Sequence, residues 1–299
     1  MNRYQNPVFI AGMPRSGTTL LHAILCKLGP YFPMPETHFF SNAAYGMPDR
    51  NLSPKNLKKI RRVLRKRARI EIDEQFPPEL NSKKDFFEYV IAKFNRQQAD
   101  TFLEKTPRHV FFYDEIMRSY PGAKFILMIR EPKNVISSQL TYTHKSDKSV
   151  IRLSMLFNKI ANAIVALRNH PNVRVIRYEE LTDDTEAILR ELCLFLSLPY
   201  DPGVLENVAA PPEIITKDAY WQERNLGLNK IKKNDPQKWR KFLNDGQANI
   251  VNFFTSRTAA AFGYSLNYVW KGFIQGCLQD ISKLVKQKEF KKLFHKEHG

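Results

Sequence analysis

Val8-Phe9-Ile10-Ala11-Gly12-Met13-Pro14-Arg15-Ser16-Gly17-Thr18-Thr19 decides the fold. Four apolar residues predict a short buried strand, and Thr18–Leu28 behind them has helical periodicity. The glycines between let the backbone turn tightly enough for successive N–H groups to converge on one point. The helix N-terminus adds partial positive charge there. A phosphate or sulfate group is the natural occupant of such a turn, and Arg15 supplies a fixed charge inside it.

The spacing, G-x-x-x-x-G-x-T, is that of a P-loop, but Thr18 stands where an ATP-cleaving loop has lysine. The cation that reaches β- and γ-phosphates is therefore missing. No metal-binding acid follows a second hydrophobic strand, so a P-loop kinase or NTPase is retained only as an alternative.

Beyond this stretch, apolar runs and helical patterns alternate as in βαβ units. Strands are expected at Thr101–Lys105, Lys124–Ile129 and Val173–Arg177. Helices are expected at Arg108–Ser119, from Pro132, at Val150–Arg168 and at Thr185–Leu196. The fold class is α/β: a P-loop-type parallel sheet with helices on both faces, plus basic helical additions. One domain over 1–299 is expected, with its core at about 7–200 and a helical lid with a basic C-terminal helix at about 201–299.

The balance of 47 basic to 30 acidic residues gives +17, which favours anionic partners. Nine basic residues fall within Lys55–Arg69, with Leu57, Ile60 and Leu64 at helical spacing. A second basic stretch, 271–296, carries Ile274, Leu278, Ile281 and Val285 on one stripe. Each reads either as a solvated basic face or as a dock for an acidic acceptor or an anionic membrane. No nucleic-acid motif accompanies the charge, so nucleic acid is not expected as a partner. The three cysteines, Cys26, Cys193 and Cys277, have neither disulfide-framework nor zinc spacing. No segment approaches the roughly 18 apolar residues of a membrane span. A cytoplasmic protein, with peripheral membrane contact as an extension, is the expectation.

Arg130 ends the Lys124–Ile129 strand, where ligands of open α/β sheets bind, and Ser138 lies eight residues on. In a helix from Pro132, Asn134, Ser138 and Thr141 share a face. An arginine fork with a serine hydroxyl suits a terminal phosphate.

The Pro-Arg-Ser-Gly-Thr-Thr run resembles the 5'-phosphosulfate loop of sulfotransferases that use 3'-phosphoadenosine-5'-phosphosulfate (PAPS), and Arg130 to Ser138 reproduces their 3'-phosphate spacing. The resemblance spans roughly residues 7–200. It implies that Arg15, Ser16, Gly17, Thr18 and Thr19 hold the 5'-phosphosulfate, Arg130 and Ser138 hold the 3'-phosphate, and Tyr178 lies near the adenine. It implies PAPS as donor, 3',5'-ADP as product and no metal requirement. Lys238-Trp239-Arg240 is a weaker echo of a lysine-tryptophan pair near the cofactor lid.

Sulfuryl transfer to an alcohol needs a base for the hydroxyl proton and cations for the oxygens gaining charge. Glu36, in Pro35-Glu36-Thr37-His38, follows the first helix and is similar in place to the glutamate base of tyrosylprotein and membrane-type sulfotransferases. Lys105 resembles the family lysine that neutralises the bridging oxygen, and Arg15 completes the catalytic set. Cytosolic small-molecule enzymes place a histidine base two residues after that lysine. Pro107 stands there instead, with His109 two further on, while His38 is the lesser candidate. The implied acceptor is a hydroxyl of a carbohydrate or glycolipid, with protein tyrosine as the alternative.

Overall fold

The computed structural model describes residues 4–68, 70–73, 76–77, 80–95, 98–142, 149–206, 231 and 233–286. Five strands, β1 (Val8–Gly12), β2 (Phe32–Pro33), β3 (Phe102–Lys105), β4 (Lys124–Ile129) and β5 (Val173–Arg177), form one sheet in the order β2-β3-β1-β4-β5. β1 runs parallel to β3 and β4, and β2 runs parallel to β3. Every residue of β1 and β3 is buried, as is all of β4 beyond Lys124. Strands covered on both faces need continuous apolar runs rather than alternation.

The helices are α1 (Thr18–Leu28), α2 (Pro54–Val63), α3 (Lys83–Ala92), α4 (Tyr113–Ser119), α5 (Pro132–Tyr142), α6 (Val150–Leu167), α7 (Tyr178–Asp183), α8 (Thr185–Leu196), α9 (Asp245–Ala260) and α10 (Trp270–Lys286). On one sheet face Val8, Ile10, Leu103, Ile126 and Met128 pack with Leu21, Ile24 and Leu25 of α1 and Leu189, Leu192 and Cys193 of α8. The other face is aromatic. Phe9 stacks on Phe125 at 5.2 Å and meets Phe102 edge-on at 5.6 Å, with Phe87 of α3 against Phe9 and Phe102. Such offset and edge-on pairs add to simple area burial.

The chain forms two compact units, Met1–Met128 with Leu167–Lys233, and Ile129–Ala166 with Asn234–Gly299. The core of the second gathers Ile136, Val150, Ile151, Leu153, Trp239, Leu243, Ile250 and Val251. Asp280 of α10 is buried there and caps α6, accepting from the Ser149 hydroxyl at 2.6 Å and from the amides of Val150 and Ile151 at 3.0 Å. A carboxylate at a helix N-terminus satisfies amides that have no partner within the helix.

Three details depart from the sequence expectations. The helix expected over Arg108–Ser119 is a 3-10 segment, Pro107–Phe112, followed by α4. Thr106, its cap residue, gives its hydroxyl to Glu104 instead of to the helix. β2 is two residues long and carried no periodicity to read. The statement that nothing approaches a membrane span is corrected by α6, whose 18 residues have a mean hydropathy of 1.5. Six of its eight buried residues, Val150, Leu153, Phe157, Ile160, Ala161 and Ile164, form one helical stripe, and the Asn158 amide donates to the Phe254 carbonyl at 2.7 Å. These are the marks of a helix packed in a protein core. The basic run at 55–69 folds as α2 and a π-helical turn, Leu64–Ala68. Residue 69, the stretch 207–230 of the expected lid, and 287–299 of the expected C-terminal helix lie outside the described residues.

Candidate functional site

The phosphate loop forms as its sequence requires. Gly12 has φ 107° and Gly17 φ 84°, the left-handed region where only glycine is at ease, and Arg15 adopts it too at φ 70°. A Cβ on Gly12 would strike the Met128 carbonyl oxygen, because β1 pairs directly with β4 there. The Met13 amide donates to that same carbonyl at 2.7 Å, and the Ser16 hydroxyl closes the turn onto the Met13 carbonyl.

α1 then starts with no side-chain cap and no acidic residue in its first turn. Its leading amides are thus left for an incoming anion. Tyr178, the first residue of α7, lies over the loop. A Cβ on Gly17 would come within 2.5 Å of its ring. Glycine at 17 therefore serves both the turn and the close approach of the ring.

Beside the loop, a second corner is assembled from side chains. Ile10 of β1 pairs with Lys105 of β3, so β3 ends beside the strand that feeds the loop. The Met34 amide donates to the Leu103 carbonyl at 2.8 Å and carries the chain after β2 along β3 to Glu36. There Lys105 Nζ donates to Glu36 Oε2 at 2.8 Å, with Lys105 10% exposed and Glu36 35%. Burial pushes the Glu36 carboxyl up, but the Lys105 and His38 charges and the hydrogen bond from Lys105 outweigh it, so its pKa is lowered. Glu36 is held as a carboxylate.

His38 Nε2 lies 3.7 Å from Glu36 Oε1, and its pKa is lowered chiefly by burial, which keeps the ring neutral near pH 7. His22 of α1 donates its Nε2–H to the Leu103 carbonyl at 3.1 Å, which fixes its tautomer. Burial, assisted by the Lys105 charge, lowers it to about 3.

Beneath the ion pair lies a carboxylate that the sequence did not reveal as important. Glu104 is fully buried on the aromatic face of the sheet. Its Oε1 accepts from the Thr37 hydroxyl at 2.8 Å, the Thr37 amide at 3.3 Å and the Thr106 hydroxyl at 2.5 Å. Its Oε2 lies 3.0 Å from His109 Nδ1. Burial works to raise this carboxyl, and the His109 contact with the threonine hydroxyls brings it well below the usual carboxylate range. The His38 amide also donates to the Thr106 hydroxyl oxygen at 3.3 Å.

Thr37 follows Glu36 and Thr106 follows Lys105. One buried anion therefore fixes the residues next to both members of the ion pair. His109, two residues beyond Pro107, is committed to Glu104. Lys105 pairs with Glu36, not with its sequence neighbour Glu104.

The second phosphate signature belongs to the other unit. Arg130 donates to the Asn234 side-chain oxygen at 3.0 Å. Asn134 is buried, its amide group held by Glu131 at 3.0 Å and the Pro236 carbonyl at 3.3 Å. Thr141 turns back onto the carbonyls of Ser137 and Ser138. All three residues expected on one face, Asn134, Ser138 and Thr141, lie on α5, with Ser138 half-buried. Trp239 is buried under Lys133 at 4.7 Å and Arg240 at 4.6 Å, a double cation–π contact.

A parallel sheet that delivers a glycine-turned anion loop and an ion-paired carboxylate to one edge defines a P-loop-type α/β fold. The profile of the sulfotransferase family matches residues 7–202, and the chain belongs to that family. PAPS dependence is the general property of its members. An uncharacterised protein of Aquifex aeolicus is 25% identical over 80% of this chain, and the match spans 31% of that protein's own length. A putative protein-tyrosine sulfotransferase of Caenorhabditis briggsae is 24% identical over 78% of each chain. The sulfotransferase domain from the Synechococcus olefin synthase has the same fold, with a TM-score of 0.57 and 20% identity over 88% of this chain and 98% of that domain.

Proposed function

We propose that this chain moves the sulfuryl group of PAPS to an acceptor hydroxyl, with Glu36 as the base. The observation that carries the reading is the uncapped N-terminus of α1 behind a loop of left-handed residues, with the Glu36–Lys105 ion pair at the end of the neighbouring strand pair. The donor set suits an anion: main-chain amides, that of Ser16 among them, the Thr18 and Thr19 hydroxyls, and Arg15, while the Ser16 hydroxyl holds the turn through the Met13 carbonyl. Assignment of the 3'-phosphate to Arg130 and Ser138, and of the adenine to Tyr178, rests on the sequence resemblance. No step in this reading calls for a metal.

PAPS supplies an activated sulfuryl group; the protein supplies position, charge and a proton acceptor. Glu36 is already ionised and needs only to be near the acceptor hydroxyl to take its proton. Lys105 is the cation closest to it, and an arriving phosphosulfate competes with Glu36 for that cation. As Lys105 turns to the anion, Glu36 loses the contact that holds its pKa down and becomes the stronger base.

A carbohydrate or glycolipid hydroxyl is the preferred acceptor, supported by the net charge of +17 and the basic stretches, which suit an acidic glycan or glycolipid. Protein tyrosine is the second reading, favoured by the name of the Caenorhabditis briggsae relative. A cytoplasmic location remains part of the proposal.

Calorimetric titration with 3',5'-ADP, PAPS and ATP, without magnesium, tests the donor. Binding of the first two is expected, and Arg130→Ala should weaken it about tenfold or more, the scale of a lost charge-assisted contact. Tight ATP binding with none of 3',5'-ADP would return the chain to the kinase alternative. Mass spectrometry of acceptor pools for added SO3 then separates glycan from tyrosine.

A further inference from the structure

The two basic helical stretches, alike in sequence, differ in what covers their apolar residues. On α2 and the turn behind it, Ile60 and Leu64 are fully buried and Leu57 is half-buried. Lys59 is tied to the Tyr45 carbonyl at 2.9 Å. That stretch is a solvated basic face over a packed stripe.

α10 is built differently. Its inner face is Phe273, Gly276, Cys277 and Asp280, spaced i, i+3, i+4 and i+7. Phe273 lies 4.2 Å from Phe253 of α9, Gly276 crosses Gly246 so closely that a Cβ on it would strike the Gly246 carbonyl, and Asp280 caps α6. These contacts fix the rotation of the helix. They leave outward a second apolar stripe: Trp270 is 59% exposed, Ile274 55%, Leu278 70% and Ile281 48%. Tyr268 and Val269, just ahead of the helix, are exposed as well, and Tyr268 packs edge-on against Trp270 at 5.7 Å.

Folding would not leave four large apolar side chains in a row in water without a reason. From Lys271 onward the sequence carries seven lysines and three acidic residues. Lys271, exposed, follows Trp270 at the head of the stripe. An apolar strip with aromatic residues at one end and lysines in attendance is the pattern of a helix lying in a membrane interface. The apolar side chains enter the acyl boundary there while the ammonium groups meet anionic headgroups. A second copy of the same strip would set lysines of a +17 chain against each other.

We infer that α10 is a peripheral membrane anchor that lays Trp270, Ile274, Leu278 and Ile281 on an anionic lipid surface. The inference does not depend on the sulfuryl-transfer reading.

Cosedimentation of the full chain with phosphatidylcholine vesicles, with and without phosphatidylglycerol, tests it. Binding to the anionic vesicles, weakened by salt, with a blue shift of tryptophan emission that Trp270→Phe abolishes, is the expected result. The double variant Ile274→Asp, Leu278→Asp changes only outward positions. It should keep the wild-type circular dichroism and thermal transition while partition falls about tenfold or more, as two charges enter the apolar contact. Absence of binding to anionic vesicles overturns the inference, as does undiminished binding by the double variant. A wild-type dimer by light scattering that the double variant turns into a monomer also overturns it, in favour of a second copy. In each case 3',5'-ADP titration reads the donor site separately.

Discussion

The two corners at the carboxyl edge of β1 and β3 are built by opposite means. The phosphate loop is one run of eight residues, Gly12 to Thr19, and its anion-binding capacity lies mainly in backbone: left-handed dihedrals and the uncapped amides of α1. The carboxylate corner draws Glu36, Thr37, Glu104, Lys105, Thr106 and His109 from two distant segments, and its capacity lies mainly in side chains. A backbone cradle is insensitive to most substitutions except at glycine. A side-chain corner depends on each partner, because every group in it is the answer to another's burial.

The largest expected effect is at the exposed end of the side-chain corner. Glu36→Gln keeps shape and removes the proton acceptor, so kcat should fall by about 10²- to 10⁴-fold. The affinity for 3',5'-ADP should be unchanged. A variant that retains wild-type kcat removes Glu36 from the chemistry. Next comes Glu104→Ala, which strips the buried anion from His109 and two threonines. Urea unfolding at neutral pH should read a loss of about 3–5 kcal/mol. A loss under about 1 kcal/mol would mean that the corner does not rest on this carboxylate.

The loop is probed by a pair of glycines. Gly17 and Gly46 both have positive φ, but a Cβ on Gly46 meets nothing within 4 Å, whereas one on Gly17 meets the Tyr178 ring. Gly46→Ala should cost only the left-handed strain, on the order of 1 kcal/mol. Gly17→Ala should cost more in stability and should also weaken 3',5'-ADP binding. Equal losses with undisturbed binding would dissociate Tyr178 from the loop.

The same contrast explains what the sequence could tell. α1, β4, β5 and α8 are found with the bounds expected from periodicity, since each is a contiguous segment with its own pattern. The loop is legible for the same reason. Glu104 is not: in sequence it is one acid beside a lysine. Only the pairing of Phe9 with Glu104 in the sheet puts it on the aromatic face, where it must be satisfied by Thr37, 67 residues away. The stripe on α10 is half legible. Periodicity finds Ile274, Leu278 and Ile281, but Phe273 and Gly276 decide which side is covered, and that depends on α9.

The smallest effect is a displacement along the pH axis, and it examines how the side-chain corner is wired. Burial and the Glu104 charge raise the Glu36 carboxyl, while Lys105 and His38 lower it below its ordinary value of 4.5. The acid limb of kcat/KM, which reports ionisation in the free enzyme, should therefore lie below 4.5 in the wild type. In Lys105→Met the cation and its hydrogen bond are gone and burial is left opposed only by His38. The limb should then move to higher pH, whatever the loss in rate, because position and height of the profile are read independently. Should the limb stay where it is in Lys105→Met, the ion pair would not govern the protonation of Glu36. The coupling between an arriving anion and the strength of the base would then have no physical carrier.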